Sequence, residues 1–198
     1  PEMAIACRDA SVDFVGFNFV DHSRRRVYAD EFPELVAHTA AGRVGVFRDT
    51  PISGVHHILA LCELDILQFH GNESPAYIAQ FSQYEVWKAF SLNENFDPEI
   101  LEHYTQATVL LFDGIRPGSG HPALREKLLK AINKARSLGR HYGIAGGITG
   151  ENIAEFRKSF SDAAFLDTAS GVEEEGIFSP AKFQKLVYNF HRYDGDCP

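Results

Sequence analysis

Short apolar runs alternate with segments of helical spacing along the whole chain. Phe14–Phe19, Val44–Phe47, Ile66–His70, Val86–Phe90, Thr108–Asp113, His141–Gly147 and Ala163–Gly171 predict seven strands. Pro1–Ala10, Asp30–Ala40, Ile52–Cys62, Pro75–Phe81, a segment opened by Asp97-Pro98, Ala123–Leu138, Glu151–Ser159 and Pro180–His191 predict eight helices. Pro1 suits a first helical turn, and Thr149 reads as an N-cap. Strand and helix in regular alternation mean βαβ units and a parallel sheet. Without a linker or low-complexity tract, residues 1–198 read as one domain, with Asp194–Pro198 expected to fray. A sheet of seven parallel strands leaves two edges of unpaired backbone groups, and closing it takes an eighth strand. The pattern opens inside a helix, so the strand due before it is expected to be missing from this stretch of sequence.

Composition narrows the function classes. With 198 residues, 44% of them hydrophobic, the chain can bury a sizeable core. A formal charge of -8 argues against nucleic-acid binding, and Arg24-Arg25-Arg26 is too short a basic cluster to reverse that. Cys7, Cys62 and Cys197 have neither metal-site nor redox spacing, so reduced thiols in a cytoplasmic protein are expected. No apolar run approaches the roughly 20 residues that span a bilayer, and no signal peptide is seen. The nine histidines lack ligand-like spacing, and His56-His57 are adjacent rather than facing, so no metal is expected.

Candidate chemistry concentrates near the C-terminus. Tyr142-Gly-Ile-Ala-Gly-Gly147 and Phe165-Leu-Asp-Thr-Ala-Ser-Gly-Val172 are apolar runs that stop at small residues, each followed by a helical segment. In a barrel of alternating strands and helices such loops let backbone N–H groups approach a phosphate, commonly after the last two strands. A phosphorylated small molecule is therefore the expected ligand.

The motifs resemble the phosphoribosylanthranilate isomerase family over nearly the whole chain. Gly16-Phe-Asn-Phe19 with Ser23-Arg-Arg25, Val44-Gly-Val-Phe47 and Lys88-Ala-Phe90 are similar to family strands and loops. Leu64-Asp-Ile-Leu-Gln-Phe-His-Gly-Asn-Glu-Ser74 is the most specific match. Leu110-Leu-Phe-Asp113 with Gly118-Ser-Gly120, Ala145-Gly-Gly-Ile148 with Glu151-Asn152, and Asp167-Thr-Ala-Ser-Gly-Val-Glu173 complete the set. The resemblance implies an α/β fold, the (βα)8 TIM barrel, here without its first strand. It also implies an Amadori rearrangement of N-(5′-phosphoribosyl)anthranilate in tryptophan biosynthesis, without cofactor, by a monomer or homodimer. By resemblance Asp113 is the general acid and Arg25 pairs with the anthranilate carboxylate. Asp167 faces the linking nitrogen, and the backbone of Gly146, Gly147, Ser170 and Gly171 holds the phosphate. An aspartate that donates a proton at neutral pH calls for a desolvated setting. The family's base, a cysteine in a Lys-x-Cys-Gly strand, has no counterpart here, and Cys7 belongs to the first helix. The Pro117–Pro122 loop and the Gly176-Ile-Phe-Ser-Pro180 turn also depart from the family pattern.

Plainer roles stand beside these. Asp113 can cap a turn, Arg25 can be solvated, and Asp167 can serve a structural hydrogen bond. Gln68 and His70 share a strand face, which suits an interior polar contact. Lys88 reads as a packing or electrostatic residue, with a Schiff-base lysine as the alternative. Two functions follow, an active isomerase or a barrel that kept its phosphate site and lost its chemistry.

Overall fold

The computed structural model describes residues 2–114 and 122–192. The chain divides into two compact units, one running to Ala89 with Glu102–Thr108, the other comprising Phe90–Leu101 and the chain from Val109 onward.

In the first unit, helix α1 (Glu2–Asp9) precedes strand β1 (Phe14–Asn18), followed by α2 (Phe32–Val36), β2 (Gly42–Phe47), α3 (Ile52–Leu61), β3 (Ile66–Phe69) and α4 (Pro75–Ile78). Strand β4 (Glu85–Ser91) begins in this unit. Each strand pairs in parallel with the next, in the registers Phe14↔Gly42, Val44↔Ile66 and Ile66↔Glu85. Every residue of β3 is buried, as expected of a parallel strand covered on both faces. Its core is aromatic. Phe17 meets Phe32 edge-on at 4.9 Å between centroids, Phe19 stacks on Phe47, and Phe69 lies 5.2 Å from Phe81.

The second unit holds β5 (Val109–Asp113), α5 (Pro122–Ser137), β6 (His141–Ala145), α6 (Ile153–Ser159), β7 (Phe165–Asp167) and α7 (Pro180–Arg192). Again the strands are parallel, with Val109↔His141 and Gly143↔Phe165 opposite one another. Helix α5 packs on β5 and β6, burying Leu128, Ala131, Ile132 and Ala135 at helical spacing.

The seven predicted strands are present, with shifted ends. The helix expected over Asp30–Ala40 is only Phe32–Val36, because no side chain caps it and Thr39 takes the Ala41 N–H into a turn. The segment opened by Asp97-Pro98 is a 3₁₀ helix, Pro98–His103, so seven of the eight predicted helices are α-helical. The strand predicted over Ala163–Gly171 ends at Asp167, and Ser170–Val172 forms a 3₁₀ turn. Thr149 does not cap α6 itself. Its hydroxyl accepts the Glu151 N–H one turn earlier, and Asn152 occupies the cap position. A small hairpin, Glu173–Glu174 with Ile177–Phe178, was not foreseen. Glu175 and Gly176 turn it with φ of 50° and 84°, the left-handed pair that suits a two-residue hairpin. Pro1, Cys197, the Asp194–Pro198 tail and most of the Pro117–Pro122 loop lie outside the described residues.

Candidate active site

Parallel registration carries the carboxyl ends of β5, β6 and β7 to one edge of the second unit, since Phe112 faces Ile144 and Ala145 faces Asp167. That edge gathers six of the seven predicted site residues. Asp113 ends β5, half-buried, and its carbonyl accepts the Leu92 N–H at 2.8 Å. Gly146 and Gly147 follow β6 directly, with φ of 86° and 67°, a conformation that side chains other than glycine seldom tolerate. Asp167 ends β7, half-buried, and exposed Ser170 and half-buried Gly171 stand in the turn after it.

The two glycine loops are packed on one another. Thr168 donates its hydroxyl to the Ile148 carbonyl at 2.8 Å, and a Cβ on Gly171 would sit 1.8 Å from that same oxygen. Asn152 fastens the first loop from both sides. Its Oδ1 accepts the Thr149 N–H at 2.9 Å, and its Nδ2 donates to the Gly147 carbonyl at 3.0 Å. An anion placed here would meet backbone held in advance.

Arg25 belongs to the first unit, in the loop after β1. The Ser23 hydroxyl accepts the Arg25 N–H at 3.2 Å and so shapes the turn that carries it. Of the three arginines, Arg26 is occupied by Asp21 at 2.8 Å and lies over the Tyr28 ring, while Arg25 is half-buried. Gln68 and His70 do meet, with Gln68 Nε2 3.1 Å from His70 Nδ1.

Lys88 is deeply enclosed, its side chain 2% exposed and that of Glu73 1%. The ammonium donates to Glu73 at 3.1 Å and to the carbonyls of Gly71, Ala89 and Phe69. Burial draws its pKa below the ordinary lysine range, and the Glu73 charge opposes that shift. An amine tied to four oxygens has no lone pair to offer a carbonyl, so the Schiff-base alternative has no support. Glu73 was not foreseen as a key residue. The available signal was an acidic residue inside the most specific motif, four positions beyond a fully apolar-flanked strand end.

Cys7 is buried in α1, and burial pushes its thiol up to about 11. Cys62 is also buried and shifted upward for the same reason. Neither is set up as a thiolate base. Among the described residues no three His, Cys, Asp or Glu side chains form a metal-holding group, and no helix is long and apolar enough to cross a membrane.

Comparison with known proteins settles the family. The model of the family described as N-(5′-phosphoribosyl)anthranilate (PRA) isomerase matches residues 2–189. The chain belongs to the N-(5′-phosphoribosyl)anthranilate isomerase family. The family member of Caldanaerobacter subterraneus subsp. tengcongensis is 34% identical over 180 residues, covering 88% of this chain and 85% of that protein. That of Halorhodospira halophila is 32% identical over 202 residues, covering 98% and 93%. Among solved structures, the phosphoribosylanthranilate isomerase of Thermus thermophilus superposes with a TM-score of 0.80 at 32% identity, covering 96% of this chain and 94% of that one. The Thermotoga maritima enzyme, at 22% identity and a TM-score of 0.81, adds likeness of fold.

Proposed function

We propose that this chain performs the isomerisation its family is named for, converting N-(5′-phosphoribosyl)anthranilate to 1-(2-carboxyphenylamino)-1-deoxyribulose 5-phosphate in tryptophan biosynthesis. The observation that carries this is the family match over residues 2–189. A solved family member, 20% identical, is a complex with a reduced form of that product.

In this reading Asp113 protonates the ribose ring oxygen as its bond to the anomeric carbon breaks, leaving an iminium to the anthranilate nitrogen. A base then removes the proton from the neighbouring sugar carbon, and the resulting enolamine tautomerises to the ketone. Electrons move only within the substrate, so no cofactor is called for. Asp167 faces the linking nitrogen, and Arg25 pairs with the anthranilate carboxylate through its planar fork. The backbone at Gly146, Gly147, Ser170 and Gly171 takes the phosphate. The left-handed glycines and the tight approach of Gly171 to Ile148 support that last assignment. Strand–helix alternation and the likeness to solved family members support a (βα)8 fold for the chain, as a monomer or a homodimer. A phosphate-binding protein without catalysis is the second reading, favoured because both described cysteines are buried and shifted upward.

Loss of substrate fluorescence with freshly made phosphoribosylanthranilate separates the two. Residues 1–198 are assayed as they stand and with a Lys-x-Cys-Gly strand added ahead of residue 1. Turnover in either form supports the isomerase, and turnover confined to the extended form assigns the base to that strand. Tight binding of the product analogue without turnover in either form supports the second reading.

A further inference from the structure

Residues of the first unit that the proposed reaction leaves unused form a dense hydrogen-bonded cluster around Glu73 and Lys88. Glu73 Oε1 accepts the Asp49 N–H at 2.8 Å, and Oε2 accepts the Gly71 N–H at 2.9 Å together with the Lys88 ammonium. Lys88 in turn donates to the Gly71 carbonyl at 2.6 Å and to the Ala89 carbonyl at 2.9 Å. Asp49 Oδ1 accepts the Asn72 N–H at 2.6 Å, and a Cβ on Gly71 would fall 2.5 Å from that oxygen. Gly71 is thus held at its N–H by Glu73, at its carbonyl by Lys88 and across its Cα by Asp49. The residue before it is His70, whose ring is fixed by Gln68. The pair therefore ties the loops after β2 and β3 and the middle of β4 to one buried centre. Burying two charges for stability alone is poor value, because an apolar pair of the same volume does as well or better. Fixing a backbone position is what such a pair does that an apolar pair cannot.

We propose that Glu73 and Lys88 are positioning residues for the isomerase, setting Gly71 and through it His70 at the carboxyl end of β3. This rests on the functional reading given above.

The test compares Glu73→Leu, Lys88→Met and the double variant in thermal stability, kcat, KM and amide exchange at residues 70–72. Each single variant leaves one buried charge uncompensated and melts well below the parent. The double variant removes both charges and regains most of that loss. It still lacks both ties to Gly71, so exchange there stays at least tenfold faster. Its kcat/KM stays roughly tenfold to a hundredfold down, the cost of a misplaced group. If the double variant recovers activity along with stability, or if Gly71 exchange is unchanged, the proposal falls. Should the single variants fail to fold, Asp49→Ala still tests it, with faster exchange expected at Asn72 and unchanged exchange counting against the clamp. The exchange measurement needs no substrate, so a protein inactive both as it stands and with the added strand would sink the functional reading while leaving the clamp to be judged separately.

Discussion

Asp113 and Asp167 end the strands on either side of β6, both half-buried, and the proposed reaction gives them different work. As the proposed acid, Asp113 loses its whole contribution when it can no longer give up a proton. Asp113→Asn is expected to lower kcat by roughly 10²- to 10⁴-fold while the melting temperature barely moves; steady-state kinetics beside a thermal melt check both halves. Cys7 makes the opposite case. Its folded pKa of about 11 lies above the unfolded value of roughly 8.5, so folding favours the thiol. The stability it contributes is fully present below about pH 8.5 and is lost as pH rises toward 11. Iodoacetamide at pH 8 should leave Cys7 unlabelled in the native protein and label it after unfolding, as peptide mass spectrometry would show. Rapid native labelling would contradict the burial.

At the scale of elements, one junction ties a helix, a strand and a turn. Arg136 on α5 reaches Asp162 at 2.7 and 2.8 Å, and Tyr142 on β6 donates its hydroxyl to the same carboxylate. Arg136 and Tyr142 together hold the Asp162 carboxyl well below the usual carboxylate range. Its folded pKa is lowered, so the stabilisation is complete above about pH 4 and drains away as pH falls below that. The ion pair is about half exposed, so after solvent screening the effect is about 1 kcal/mol or less. Asp162→Asn should cost roughly 2–4 °C in melting temperature at pH 7, with the gap to the parent closing below pH 4. A gap that persists unchanged at pH 3 would mean the charge is not the cause. The loops after β6 and β7 give a second element-level test. Gly171→Ala drives a Cβ into the Ile148 carbonyl, so the loop must move, at a cost of roughly 1–3 kcal/mol. A melt within 1 °C of the parent would show that the turn gives way freely.

For the molecule as a whole, a ligand that binds only the folded chain must raise its stability, by about 2.7 kcal/mol at a hundred times the dissociation constant. The reduced product analogue should therefore raise the melting temperature of the parent protein in proportion to the logarithm of its concentration. In Gly171→Ala that shift should largely vanish, because the proposed phosphate backbone has been displaced. An equal shift in both would move the phosphate site elsewhere. The net charge of -8 makes such an anion site notable. Fixed backbone N–H groups, which the formal charge does not count, are the means proposed to hold a phosphate there.

Much of this was legible in the residues alone. Seven apolar runs announced seven strands, most plainly at β3 and β5, where a parallel strand covered on both faces reads as continuous hydrophobicity. The small residues after Ala145 and Asp167 marked loops that only glycine can form, and the spacing of motifs pointed to the family. Where local signals were weak, the fold decided. The Phe32–Val36 and Pro98–His103 segments came out shorter or tighter than their spacing suggested, having no side-chain cap or only one buried residue to extend them. The strand over Ala163–Gly171 stopped at Asp167, and the turn after it packs on Ile148, some twenty positions away in sequence, which no local pattern reports. The Glu73–Lys88 centre was beyond reach for the same reason. Its partners come from Asp49, Gly71 and Ala89, and only strand pairing brings those together. Periodicity is a property of neighbours along the chain, whereas a buried charge survives only through neighbours in space.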